Sequence, residues 1–174
     1  TYRNLSNPQH PYRQKIDTLF NHAVQVVDKE SALSGQGIRP NQIHNQLTIF
    51  VLSVQSFASN NKDGRRVYRE NSSLAEYANS YGNDNKIDGA DETSLIQTIA
   101  HLNPVVIIDE SHNFEANLRL DMLNNINPRF ILDLTATPRK KSNIISFVDA
   151  MSLKKANMVK LPVILYNRNS TEEV

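Results

Sequence analysis

Apolar and polar positions alternate along this chain in two distinct rhythms. From Pro11 onward, Ile16, Leu19, Phe20, Ala23, Val24 and Val27 fall at three- and four-residue steps. That spacing predicts one amphipathic helix of about five turns. Ser34-Gly35-Gln36-Gly37 follows, and glycine in the left-handed region is a natural helix stop. The run Leu47-Thr48-Ile49-Phe50-Val51-Leu52 is short, apolar and β-branched, which predicts a strand buried on both faces. Residues 58–92 are dense in Asn, Ser, Asp and Gly, with Leu74, Ala75 and Ala78 as scattered apolar positions. They predict a polar surface excursion with one short helix around 73–81, in which Arg65, Arg66 and Arg69 read as solvated.

The rhythm tightens after Asp91. Asp91 or Thr93 can cap a helix carrying Leu95, Ile96, Ile99, Ala100 and Leu102, which Asn103-Pro104 ends. Val105-Val106-Ile107-Ile108 is the strongest buried-strand signal, and it runs straight into Asp109-Glu110-Ser111-His112. A helix over 115–125 presents Leu118, Met122, Leu123 and Ile126. The next strand is Phe130-Ile131-Leu132-Asp133-Leu134, closed by Thr135-Ala136-Thr137-Pro138. A helix through Ile144, Ile145, Val148 and Met151 leads to a last apolar run, Val163-Ile164-Leu165-Tyr166. Short buried strands alternating with helices predict an α/β fold: a three-layer parallel sheet flanked by helices.

Composition narrows the classes of function. The 174 residues carry 19 basic and 18 acidic side chains, a net charge of +1, which excludes a polybasic tail or an acidic disordered chain. The absence of cysteine excludes a disulfide scaffold, a zinc finger, an iron–sulfur cluster and a thiol nucleophile. With no long apolar run and no leader pattern, no membrane partner is expected and the expected compartment is the cytoplasm. The near-zero total conceals a local excess. Between Arg139 and Arg168 there are seven basic residues (Arg139, Lys140, Lys141, Lys154, Lys155, Lys160 and Arg168) against one acid, Asp149.

Candidate chemistry sits where open parallel sheets bind ligands, beyond the carboxyl ends of the strands. Asp109 and Glu110 follow an apolar strand directly. There, one carboxylate can reach Mg²⁺ while its neighbour polarises an attacking water. On the residues alone, helix-capping carboxylates on a solvated loop are an equal alternative. Thr135-Ala136-Thr137-Pro138 occupies the matching end of the next strand, about one helical crossover later, and a plain strand-to-helix turn with proline explains it equally.

Taken together these stretches resemble a known family. Val106-Ile107-Ile108-Asp109-Glu110-Ser111-His112 resembles motif II (the Walker B box) of superfamily-two helicases of DEAD/DEAH type, in a DESH variant. Leu134-Thr135-Ala136-Thr137-Pro138-Arg139 resembles their motif III in its TATP form. Leu52-Ser53-Val54-Gln55-Ser56-Phe57 looks like the Ib region. Residues 103–115, and the stretch 148–165 with Leu153-Lys154-Lys155 and Val159-Lys160-Leu161-Pro162, look most like the helicase (Res) subunit of type III restriction enzymes. The resemblance covers 45–57 and 95–166. It implies a RecA-like lobe of the P-loop NTPase type, with ATP and Mg²⁺ as cofactors. Asp109 is the implied Mg²⁺ ligand, directly or through water, Glu110 the residue that activates water, and both contact the nucleotide. His112 is the implied link to motif III, and Thr135, Ala136, Thr137 and Pro138 form the coupling motif. Ser53, Gln55 and Ser56 are implied nucleic-acid contacts. The implied partners are DNA or RNA, a second lobe of the same polypeptide, and a methyltransferase/specificity subunit.

One departure is decisive for expectation. A phosphate loop needs G-x-x-x-x-G-K-[ST], and none of the five glycines (Gly35, Gly37, Gly64, Gly82, Gly89) opens that pattern. The expected organisation is therefore an incomplete lobe over 1–168, lacking its Walker A unit, with 169–174 as a tail toward a second lobe. Such a lobe alone is expected to bind ATP weakly and not to turn it over. Two alternatives stay open at this point: a non-catalytic helicase-like binding or scaffolding lobe, and a Mg²⁺-dependent phosphohydrolase or nuclease built on Asp109, Glu110 and His112.

Overall fold

The computed structural model describes residues 1–53, 57, 66–80, 86–109, 116–135 and 143–158. They belong to two compact units, Thr1–Thr135 and Ala136–Val174. The first unit is mixed α/β. It runs α1 (Tyr2–Ser6), α2 (Pro11–Leu19), β1 (Val24–Asp28), α3 (Lys29–Leu33), α4 (Pro40–Ile43) and β2 (Leu47–Val51). Two 3₁₀ turns follow, Arg66–Tyr68 and Ser72–Ser80. Then come α5 (Leu95–Leu102), β3 (Val105–Asp109), α6 (Ala116–Ile126) and β4 (Phe130–Leu134). The described part of the second unit holds α7 (Ala150–Lys155).

The strands form two separate parallel pairs. β1 lies beside β2 with Val24 opposite Leu47 and Asp28 opposite Val51. β3 lies beside β4 with Val105 opposite Phe130 and Asp109 opposite Leu134. Each pair needs a crossover connection, as parallel strands must. α3 and α4 lie in the first crossover and α6 in the second.

The long helix expected after Pro11 is not formed. α2 stops at Leu19, and Asn21 and His22 turn the chain with φ of 50° and 61°. Left-handed backbone at two successive residues ends a right-handed helix. The Val24-Gln25-Val26-Val27 stretch beyond it is β-branched and pairs with β2 as a strand. Leu19 and Phe20 are consequently exposed, and the residue that α2 buries is Asp17. Asp17 Oδ1 accepts a 2.8 Å hydrogen bond from Arg13 Nε, and the Arg13 guanidinium also donates to the carbonyls of Leu5 and Val24. One part-buried ion pair thus ties α1, α2 and the start of β1.

The glycine stop operates on a different helix. α3 is opened by Asp28, whose Oδ1 accepts from the Ser31 N–H at 2.8 Å, and it closes before Gly35, where φ is +74°. Gly37 lies against the Gln25 side chain of β1 with φ +71°, a left-handed conformation that favours glycine.

α5 is the centre of the core. Leu95 to Ala100 are all buried, and Leu95, Ile96 and Ile99 share one apolar cluster with Val27, Ile38, Ile108, Met122, Leu123 and Ile126. Gln97 and Thr98 are buried beside them as polar residues, and His101 is exposed in the last turn. The cap of α5 is Ser94, which accepts from the Gln97 N–H, and not Asp91 or Thr93. Those two accept instead from the main-chain N–H groups of Glu70 and Asn71. The 58–92 segment is accordingly more than a solvated excursion. Val67, Tyr68, Leu74 and Tyr77 are buried in its described parts, and the Tyr77 hydroxyl donates to the carbonyl of Ile38.

Neither strand pair is buried on both faces. β2 is half-buried throughout. On β3, Ile108 is buried while Val105 and Ile107 are each 63% exposed. Their neighbours on β4, Phe130 and Leu134, are exposed as well. In the second unit the expected helix through Ile144 begins only at Ala150, where the Asp149 carboxylate accepts from the Ser152 N–H at 2.6 Å. Ile144, Ile145 and Val148 precede that cap and are exposed. Val163-Ile164-Leu165-Tyr166 lies outside the described residues.

Candidate functional site

The site begins from strand register. Because β3 and β4 are parallel and Asp109 stands opposite Leu134, the next residue on β4, Thr135, comes out at the same edge as Asp109. Two residues a whole helix apart in sequence are thereby brought to one edge by the β3–α6–β4 crossover. Asp109 is exposed, and among the described residues its carboxylate makes no hydrogen bond or ion pair. Thr135 is half-buried. Glu110, Ser111 and His112, and Ala136, Thr137 and Pro138, lie outside the described residues.

The Ib-like residues fall on the other pair. Ser53 is exposed two residues beyond the end of β2, which pairs with β1. The register therefore does not bring Ser53 to Asp109, and Gln55 and Ser56 lie outside the described residues. The aspartate at the end of β1 has a different task from Asp109. The Asp28 carboxyl caps α3, and the Ser31 N–H and hydroxyl hold it below the usual aspartate range.

A metal ion has limited support from these side chains. Among the described residues no three His, Asp or Glu side chains group to hold one. Asp109, a solvent-facing carboxylate that pairs with no cation among the described residues, fits an ion whose other ligands are phosphates and water. That is how Mg²⁺ is commonly held. It does not make a self-sufficient metal cage.

The basic stretch is only partly visible. Lys154 and Lys155 are exposed in the last turn of α7, where positive charge complements the helix dipole. Arg139, Lys140, Lys141, Lys160 and Arg168 lie outside the described residues. Asp149, the single acid of that stretch, is the cap of α7, and its Ser152 bonds lower its pKa. In the 58–92 segment, Arg66 is held by both carboxylate oxygens of Glu30 at 3.0 and 3.1 Å, an exposed ion pair.

A second concavity escapes the sequence reading. Gln25, Ser34, Gly35, Gln36, Gly37, Arg39 and Gln42 line a polar hollow of about 300 Å³. Reading 24–27 as helix left Gln25 unplaced. The β-branched run around it was the signal for a strand.

With this geometry in place, the family comparison is informative. The family model for the type III restriction enzyme, res subunit, matches residues 10–140, three quarters of the chain. The chain belongs to that family. The matched span runs from just before α2 past the end of β4, so it contains both strand pairs of the res-family domain together with Asp109 and Thr135. No curated protein and no solved structure matches the chain. Among the described residues of this res-family protein, no helix is long and apolar enough to cross a membrane.

Proposed function

We propose that this res-family chain supplies the hydrolytic edge of an ATP-driven DNA helicase or translocase, as part of a RecA-like motor lobe. The observation that carries the reading is the meeting of Asp109 and Thr135 at one edge of a parallel pair, in a chain of the restriction-helicase family. Asp109 would hold the Mg²⁺ that accompanies ATP. When bound, that ion neutralises charge on the phosphates. Glu110, next in the chain, would orient the attacking water and accept its proton. His112, Thr135 and Thr137 would link the state of that edge to the rest of the motor, and Ser53, Gln55 and Ser56 would contact the nucleic-acid backbone.

The 174 residues contain no glycine–lysine phosphate loop. Without its amides and lysine, preorganised stabilisation of the transferred phosphoryl group is missing. ATP turnover by residues 1–174 alone is therefore expected to be negligible.

The test uses the res-family protein that contains this domain with its phosphate loop. Glu110→Gln should reduce DNA-stimulated ATP hydrolysis by about 10²–10⁴-fold, the usual worth of a positioned general base. DNA binding should persist. Unchanged hydrolysis in that variant would overturn the reading, as would Mg²⁺-dependent DNA cleavage needing Asp109 but no nucleotide.

A further inference from the structure

The hollow beside β1 has an unusual imbalance between donors and acceptors. Its lining contains one cation, three carboxamides, one hydroxyl and no carboxylate. Arg39 is exposed, and its guanidinium makes no ion pair or hydrogen bond among the described residues. Gly37, which lines the hollow, is buried, yet its main-chain N–H has no hydrogen-bond partner among the described residues. Buried N–H groups without partners are rare in folded proteins, because each forgoes the water it had when unfolded.

Two of the acceptors nearby are already taken. The Gly37 carbonyl accepts from the Thr48 hydroxyl at 3.1 Å and from Gln46 Nε2 at 3.4 Å. Gln25 Oε1 accepts from Gln46 Nε2 at 2.9 Å, which leaves the Gln25 amide nitrogen as the unused half of that side chain. Spare donors and one unpaired guanidinium, in a lining without a carboxylate, select a ligand rich in acceptors and negatively charged.

We propose that this hollow is an oxyanion subsite that takes a phosphate group through Arg39, the Gly37 N–H group and the surrounding glutamine amides. Guanidinium and N–H donors bind phosphate oxygens through charge-assisted hydrogen bonds. Glycine suits position 37 because its φ of +71° is one that residues with a side chain rarely adopt. The subsite lies against the β1–β2 pair and is separate from Asp109 and Thr135. It stands whether or not the chain takes part in ATP hydrolysis.

Two sources could provide the phosphate, free inorganic phosphate or a nucleic-acid backbone, and one experiment separates them. Amide nitrogen–proton NMR spectra of the 174-residue chain are recorded during titration with inorganic phosphate, with chloride at matched ionic strength as control. A second titration uses a short single-stranded DNA. Phosphate should shift the Gly37 amide and the side-chain amides of Gln25, Gln36 and Gln42 saturably. Arg39→Ala should weaken that binding by about tenfold or more, the loss of one charge-assisted hydrogen bond. Arg39→Lys should fall between, with the thermal midpoint of both variants unchanged because Arg39 is exposed and unpaired. DNA that moves the same amides and is displaced by phosphate identifies a backbone phosphate as the natural ligand. Shifts with phosphate but not DNA identify the free ion. The proposal fails if the shifts do not saturate, match those with chloride, or persist undiminished in Arg39→Ala.

Discussion

The two strand pairs have the same length, the same parallel sense and the same kind of helical crossover, yet they are finished differently. β1–β2 is bound to its surroundings by polar ties. Arg13 reaches Val24, Gln46 joins Gln25, Thr48 joins Gly37, and Asp28 caps α3. β3–β4 rests one face on the α5 core and leaves the other, with Val105, Ile107, Phe130 and Leu134, exposed. Its terminal aspartate caps no described helix. The contrast shows how one local motif can serve two ends. Where the carboxyl-end aspartate is consumed by a cap, the pair is a structural support. On β3–β4 it makes no bond to a described residue, and under the proposed function that free carboxylate serves the chemistry.

The comparison can be broken at its strongest tie. Asp17→Ala leaves the part-buried Arg13 guanidinium without its carboxylate, and should cost about 2–3 kcal/mol in urea unfolding, the upper range for hydrogen bonds to charged groups. A loss below about 0.5 kcal/mol, the range of ordinary surface changes, would show that the anchor of β1 is dispensable.

A matched pair of substitutions sharpens the contrast in packing. Val27 is 0% exposed and Val105 is 63% exposed. Val27→Ala should destabilise by about 2 kcal/mol, following lost burial and the cavity left behind. Val105→Ala should stay within about 0.5 kcal/mol. Equal losses would mean that the outer face of β3–β4 is covered in solution.

A smaller effect probes the polar finish itself. Thr48→Val keeps the shape but removes the hydroxyl that bonds to the Gly37 carbonyl, and should cost about 1 kcal/mol. No loss on chemical unfolding would remove the loop from the account of β1–β2 stability.

The smallest expected effect is in pH. The Asp28 pKa is lowered in the folded chain, so the unfolded chain binds a proton more readily across that window. The cap's stabilisation is therefore complete above the ordinary aspartate range and fades as pH falls through the lowered folded value. Stability measured across acid pH should have a shallower slope in Asp28→Asn than in the parent chain. An unchanged slope would show that the cap does not contribute in solution.

Much of this was legible in the residues, for identifiable reasons. Phe130 to Leu134 reads as a strand because its apolar run is short and bounded by turn residues, and β4 has those limits. Asn103 reads as a helix end, and its φ of 45° is the left-handed stop that asparagine tolerates. Periodicity failed where two kinds of element shared one spacing. Ile16 through Val27 match a helical face, but Asn21 and His22 interrupt it, and pairing with β2 decides the second half. Burial was harder to read than element type. Val105 and Ile107 are apolar enough for an interior, and only the positions of α5 and α6 show which side of β3 is covered. For the candidate site, Asp109 and Thr135 were both nameable from their positions at strand ends. The donor-rich hollow at Gln25 and Arg39 was not, because it depends on a close approach of loop to strand.

The sequence by itself determined the family, the α/β character of the chain, and which acidic and hydroxyl residues close the apolar strands, because those follow from local runs and motif order. Tertiary structure alone decided that Asp109 and Thr135 share an edge, that Asp28 is spent on a cap, and that Tyr68 and Tyr77 of a polar segment are interior. Each of those outcomes rests on contacts between residues distant in the chain, and local composition carries no record of which partners such contacts will bring together.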